Sequence, residues 1–131
     1  MAPLAADFVS ERVPLPAADA VTSIPPDGDR SLRRGHQPAR DLARALSERW
    51  DLPVIEPLGR AREIERQRGL SRDERRANVR GAFLASGHVP GRVILVDDVY
   101  TTGATVHAAA GALRAAGARD VHVVTFARAV R

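Results

Sequence analysis

Apolar positions along this chain fall into short β-branched runs and stripes at helical spacing, and the two kinds alternate. The first run, Val21 to Ile24, reads as a strand ended by the turn signal Pro25-Pro26-Asp27-Gly28. Leu42, Ala43, Leu46 and Trp50 recur at helical offsets, which predicts a helix from Pro38 to Arg49 that begins with proline. Short strands are predicted at Pro53 to Glu56, Ala82 to Ala85, Val93 to Val96 and Val121 to Phe126. Between the last two, a helix runs from Thr105 to about Ala116 and is closed by Gly117. Pro3 to Arg12 reads as a short helix with Leu4, Phe8 and Val9 on one side, followed by a proline-broken connector from Val13 to Ala20. Ser71 with Glu74 makes a capping box, so Arg72 to Asn78 reads as a helical turn. Strands alternating with helices imply βαβ units, right-handed crossovers and a mainly parallel sheet.

The segment Val93 to Thr105, VILVDDVYTTGAT, carries the most chemistry. Its four leading apolar residues show no polar alternation, as suits a strand covered on both faces. Asp97 and Asp98 interrupt that burial, because like charges roughly 4 Å apart repel by about 4 kcal/mol near a protein surface. The pair therefore belongs at the carboxyl end of the strand, facing solvent, hydroxyls or a cation. Open α/β sheets bind their ligands at that edge. Gly103 permits close backbone approach, Thr101, Thr102 and Thr105 offer hydroxyls, and the following helix N-terminus favours an anion. Acids for sugar hydroxyls followed by a phosphate cradle describe a ribose-phosphate site.

Composition narrows the chemistry. The chain has 131 residues, enough for one domain, with 44% apolar but only 4% aromatic residues. It contains no cysteine, which excludes disulfides, a thiol nucleophile and a zinc ribbon. All 20 basic residues other than histidine are arginine, so a P-loop lysine and a Schiff-base lysine are excluded as well. Without a Walker A motif, Asp97 and Asp98 do not read as a Walker B pair, and a helix cap is the remaining bland account. The four histidines, His36, His88, His107 and His122, have no ligand spacing. His107 and His122 read as lying on a helix face and a strand face. The net charge of +4 attracts polyanions, nucleic acid among them, but the few aromatics are scattered and form no stacking platform. Neither a secretory signal nor a membrane-spanning run is found, so a soluble cytoplasmic protein is expected.

The Val93 to Thr105 segment resembles the phosphoribosyl-pyrophosphate (PRPP) signature of type I phosphoribosyltransferases, departing from it only at the bulky Tyr100. Two further stretches narrow the resemblance to the ComF family of competence-related phosphoribosyltransferases. Arg33 to Leu46, RRGHQPARDLARAL, is similar to that family's arginine-glycine segment. Gln67 followed by Gly69 to Phe83, GLSRDERRANVRGAF, is similar to its middle segment. The resemblance implies a Rossmann-like, doubly wound α/β fold with a mainly parallel sheet of about five strands. It also implies a transferase (glycosyltransferase) activity on PRPP and a place in nucleotide metabolism.

Residue by residue, the resemblance implies that Asp97 and Asp98 hold the ribose hydroxyls, directly or through Mg²⁺. Thr101, Thr102, Gly103, Ala104 and Thr105 would bind the ribose 5-phosphate, and Arg34 with Gly35 the pyrophosphate. Arg62, Gln67, Arg75 and Asn78 fall on recurring positions of the mobile loop that closes over PRPP, where Ile64 replaces the usual threonine. His36, Gln37 and Pro38 depart from the family's usual phenylalanine-asparagine-glutamine. On the residues alone, the Arg33-Arg34-Gly35 turn also fits an exposed basic turn. The Arg60 to Arg80 span likewise fits a charged surface segment pairing with Glu63, Glu65, Asp73 and Glu74. The implied partners are PRPP and a small-molecule acceptor, most simply a nucleobase, and a homodimer stays open. With a short N-terminal segment and an end just after the last strand, only a reduced hood is expected. Full-length family members carry a cysteine-rich metal module ahead of this domain, absent here. Two other readings are a catalytically silent PRPP or nucleotide sensor and, from the family association, an accessory in DNA uptake.

Overall fold

Val93, Ile94, Leu95 and Val96 are fully buried, and side chains of this size each stabilise the fold by about 1.5–3 kcal/mol. They lie at the centre of a parallel sheet, as a run without polar alternation predicts. The computed structural model describes residues 17–25, 38–61, 83–100 and 103–128, without the side chains of 98–100 and 126–128. Among these residues the elements are β1 (Ala20–Ser23), α1 (Pro38–Trp50), β2 (Leu58–Arg60), β3 (Phe83–Ala85), β4 (Arg92–Tyr100), α2 (Ala104–Ala115) and β5 (Asp120–Arg128). The helix expected over 3–12 and the capping-box turn at Ser71 and Glu74 lie outside them.

β4 lies between β1 and β5, parallel to both, with Ala20 opposite Val93 and Arg92 opposite Asp120 at the starts of the two ladders. Successive residues of a strand point to opposite faces, so β4 serves two cores. Ile94 and Val96 join Val21, Val124 and the α1 residues Leu42, Ala43 and Leu46 on one face. Val93 and Leu95 join Ile24, Phe83, Val89 and the α2 residues Val106, Ala109, Ala110 and Leu113 on the other. The two helices thus cover opposite faces, which makes the domain a doubly wound α/β sheet.

Among the described residues five strands are present, but in place of the single mainly parallel sheet of about five that was expected they divide between a three-stranded parallel sheet and a two-stranded antiparallel one. β2 pairs antiparallel with β3, with Arg60 opposite Phe83, and flanks the α2 side. The strand expected at Pro53 to Glu56 contracts to a single parallel bridge between Val54 and Val21. Val21 N donates to Pro53 O and Ile55 N to Val21 O, both at 2.9 Å, on the edge of β1 away from β4. Pro53 and Pro57 lack the N–H that a longer ladder would need, and the chain pairs next at Leu58–Arg60.

Both helices end in Schellman geometry. After α2, Gly117 N donates to Arg114 O at 3.1 Å and Ala118 N to Leu113 O at 3.0 Å. Gly117 has φ +126°, and a Cβ there would lie 3.1 Å from Val89 O, so the position requires glycine. After α1, Asp51 takes the left-handed conformation and Leu52 N donates to Ser47 O at 3.0 Å. At the amino ends of the strands, Arg92 Nη2 lies 3.0 Å from Asp19 Oδ1, and Arg92 N donates to Asp19 Oδ2 at 3.2 Å. The hydrogen bond from the Arg92 side chain holds the Asp19 carboxyl below its ordinary value of 3.8.

Candidate functional site

The order of chain connections locates the site before any side chain is considered. From β1 the chain crosses by α1 to the Val54 bridge on one edge of β1. From β4 it crosses by α2, on the opposite face, to β5 on the far edge. The two crossovers lead apart, so the sheet has its switch point between β1 and β4. Open α/β sheets bind ligands in the crevice outside the carboxyl ends of such strands. Here those ends carry Pro25 on β1 and Asp97 on β4.

The β1–β4 ladder closes at Ser23 opposite Val96, with Ile24 N donating to Val96 O at 3.1 Å. Asp97 comes next and is half-buried. The strand does not end before the acids, as the charge argument implied, but runs through Asp97 and Asp98 to Tyr100. It pairs with β5 at Asp97–Thr125, Val99–Ala127 and Tyr100–Arg128. Backbone pairing to β5 continues past Val96, the last fully buried residue of the apolar run. The carboxylate of Asp97 therefore has a fixed backbone beneath it, with Thr125 as its cross-strand neighbour.

Gly103 caps α2 at φ +82°, a conformation that favours glycine, and its carbonyl accepts the first helical bond from His107 N at 2.8 Å. The helix begins at Ala104, one residue earlier than expected, which puts the exposed Thr105 within the first turn. Gly103 has no side chain with which to cap this end, and no acidic residue lies in the first turn of the helix. Asp97, Asp98, Gly103, Ala104 and Thr105 thus belong to one strand end and the helix start that follows it. Thr101, Thr102, Arg34, Gly35, Arg62, Gln67, Arg75 and Asn78 lie outside the described residues. His107 and His122 are exposed on α2 and β5, as read.

Two residues near the crevice escaped the sequence reading. Thr125 is opposite Asp97 only through a register that no local pattern reveals. Arg60, part of the span read as loop, ends β2 and reaches across to the switch point. Its Nη2 donates to Pro25 O at 2.9 Å, and its guanidinium lies 4.9 Å from the Phe83 ring centroid. A groove of about 430 Å³ runs between β3 and the outer side of α2, lined by Leu84, Ala85, Gly111 and Ala112 among others, and includes His107. Among the described residues, no group of three or more His, Cys, Asp or Glu is placed to hold a metal, and no helix is long and apolar enough to cross a membrane.

Residues 32–130 match the model of the phosphoribosyl transferase domain. Competence protein F of Haemophilus influenzae is 36% identical over 116 residues, covering 85% of this chain and 51% of that protein. Competence protein ComFC of Streptococcus pneumoniae is 32% identical over 124 residues, covering 94% and 54% respectively. The chain thus spans about half the length of these relatives. Among solved structures, the glutamine PRPP amidotransferase from B. subtilis complexed with ADP and GMP aligns with a TM-score of 0.66 at 28% identity, over 95% of this chain and 26% of that one. The adenine phosphoribosyltransferase of Thermoanaerobacter pseudethanolicus, at 9% identity, shares the fold with a TM-score of 0.57, over 98% and 80%. The switch-point crevice, the strand-end acids and these similarities agree: the chain belongs to the ComF family and carries its phosphoribosyltransferase domain.

Proposed function

We propose that this chain binds Mg-PRPP at the β4–α2 turn and transfers the phosphoribosyl group to a nitrogenous base, releasing pyrophosphate. The observation that carries this reading is the half-buried Asp97 in the carboxyl-terminal half of β4, followed six residues later by Gly103, the N-cap of α2. Carboxylates accept hydrogen bonds from ribose hydroxyls, and a helix N-terminus suits the 5-phosphate. Adjacent Asp97 and Asp98 fit a cation that takes one or two carboxylates and draws its other ligands from water and substrate phosphates. Mg²⁺ bound there with the substrate would supply positive charge opposite the departing diphosphate.

In this reading Asp97 and Asp98 orient the ribose, and the backbone and hydroxyls from Thr101 to Thr105 grip its phosphate. Arg34 and Gly35 cradle the pyrophosphate, while Arg62, Gln67, Arg75 and Asn78 act from the loop between β2 and β3. The bond from the anomeric carbon to the pyrophosphate oxygen breaks as a base nitrogen bonds to that carbon. The base gives up its N–H proton to solvent, and pyrophosphate leaves. The Asp97→Asn, Asp98→Asn double variant is expected to fold and to lose at least tenfold in Mg-PRPP affinity by calorimetry. Undiminished affinity rejects the site.

A second reading is favoured by the names of the relatives, which are competence and DNA utilization proteins. There the domain recognises PRPP or a nucleotide as a sensor or DNA-uptake accessory and turns nothing over. Pyrophosphate release with a panel of bases separates the two, since the enzyme releases it and the sensor does not.

A further inference from the structure

The crevice between β1 and β4 has a second wall, the exit of β1, and the phosphoribosyl reading leaves open what anchors it. Ile24 is buried in the α2-side core, and its amide closes the ladder on Val96. Pro25 follows with no N–H of its own, so its carbonyl is the group through which the backbone leaving β1 can be held. That carbonyl accepts the Arg60 guanidinium at 2.9 Å in a half-buried setting. Arg60 is itself braced: its backbone pairs opposite Phe83, and its guanidinium stacks 4.9 Å from that ring. Phe83 is 3% exposed and packs in the same core as Ile24. Three separate elements, β1, β2 and β3, therefore meet at one cation. A charged donor to a carbonyl makes a stronger bond than a neutral one, and the stacked ring limits where the guanidinium can go.

We infer that Arg60 is a positioning residue. It holds the exit of β1 through the Pro25 carbonyl and so sets the approach of the diphosphate end of the donor, while the β4–α2 turn holds the ribose phosphate independently. This rests on the PRPP reading above. The independence gives the test its sign, because the two halves of the donor are available as separate probes. Calorimetry of the full chain with Mg²⁺ and inorganic pyrophosphate, and separately with ribose 5-phosphate, is run on wild type, Arg60→Gln and Arg60→Lys, with melting temperatures in parallel. Arg60→Gln is expected to lose about tenfold in pyrophosphate affinity and to change less than twofold toward ribose 5-phosphate. Arg60→Lys, which keeps one charged donor and the ring contact, is expected to recover most of the loss. Equal losses for both probes, tracking a lower melting temperature, would mean Arg60 only holds the fold and would overturn the inference. An unchanged pyrophosphate affinity in Arg60→Gln overturns it too. If wild type binds neither probe, the donor site itself is wrong, and that outcome is distinct from a wild type that binds both with variants that do not differ.

Discussion

Thr22 is the buried polar residue among those described: fully inaccessible, opposite Leu95, with no hydrogen-bond partner for its hydroxyl. A buried hydroxyl left unpaired costs about 1–3 kcal/mol, and an apolar group of the same shape removes that cost. Thr22→Val is therefore expected to raise the melting temperature by several degrees, since about 1 kcal/mol corresponds to roughly 4 °C or more in a small domain. Thr22→Ser keeps the hydroxyl, loses a methyl, and is expected to lower it. Thermal denaturation of the three chains checks both signs, and a fall with valine would mean that the hydroxyl has a partner. Asp97 presents the opposite case. Its acidic neighbour, the preceding apolar run and the following glycine mark it in the sequence as a candidate site residue. Thr125, its cross-strand neighbour, carries no such mark and is found only through the register of two strands.

At the scale of elements, the Asp19–Arg92 pair joins the residue before β1 to the first residue of β4. The folded state holds the Asp19 carboxyl below 3.8, chiefly through the Arg92 side-chain hydrogen bond, with Arg119 adding a weaker attraction. A carboxyl whose value is depressed on folding contributes stability that is fully present above its unfolded value and lost as pH falls through the folded one. Wild type should thus lose more stability than Asp19→Asn as pH drops below 3.8, with the two curves parallel above about pH 5. Denaturant unfolding at a series of pH values tests this, and parallel curves throughout would remove the linkage. Both ends of this clasp are exposed, so the difference should be small.

The same scale shows what the residue pattern could and could not convey. β1, α1, α2 and the buried part of β4 were legible because their apolar spacing matches their burial. Leu42, Ala43 and Leu46 all face the core, as do Val106, Ala109, Ala110 and Leu113. β2 was not legible: Leu58-Gly59-Arg60 is stabilised by pairing with a strand that begins at Phe83, and no local signal carries so distant a partner. The far end of β4 was missed for a related reason. Its ladder to β5 is made by backbone groups that do not depend on the charge of Asp97.

For the whole molecule, a donor-binding site and a DNA-binding surface predict different couplings. A ligand that binds only the folded state stabilises it by about 2.7 kcal/mol at 100 times its dissociation constant. Saturating Mg-PRPP is thus expected to raise the melting temperature in enzyme and sensor alike. DNA binding by this basic chain, with its net charge of +4, would instead fall steeply with added salt. Thermal shifts measured with Mg-PRPP and with duplex DNA across a salt series separate a small-molecule site from a polyanion surface. No shift with Mg-PRPP at millimolar concentration argues against the donor site.

One strand supplies the floor of both interiors, with Val93 and Leu95 on one side and Ile94 and Val96 on the other. Neither helix can be stripped away without laying bare half of that strand, so the two layers stand or fall together. The carboxylate that emerges from it inherits an address fixed by the collective packing of the molecule. Surrounding loops can therefore diverge in length and sequence while this acid stays in place.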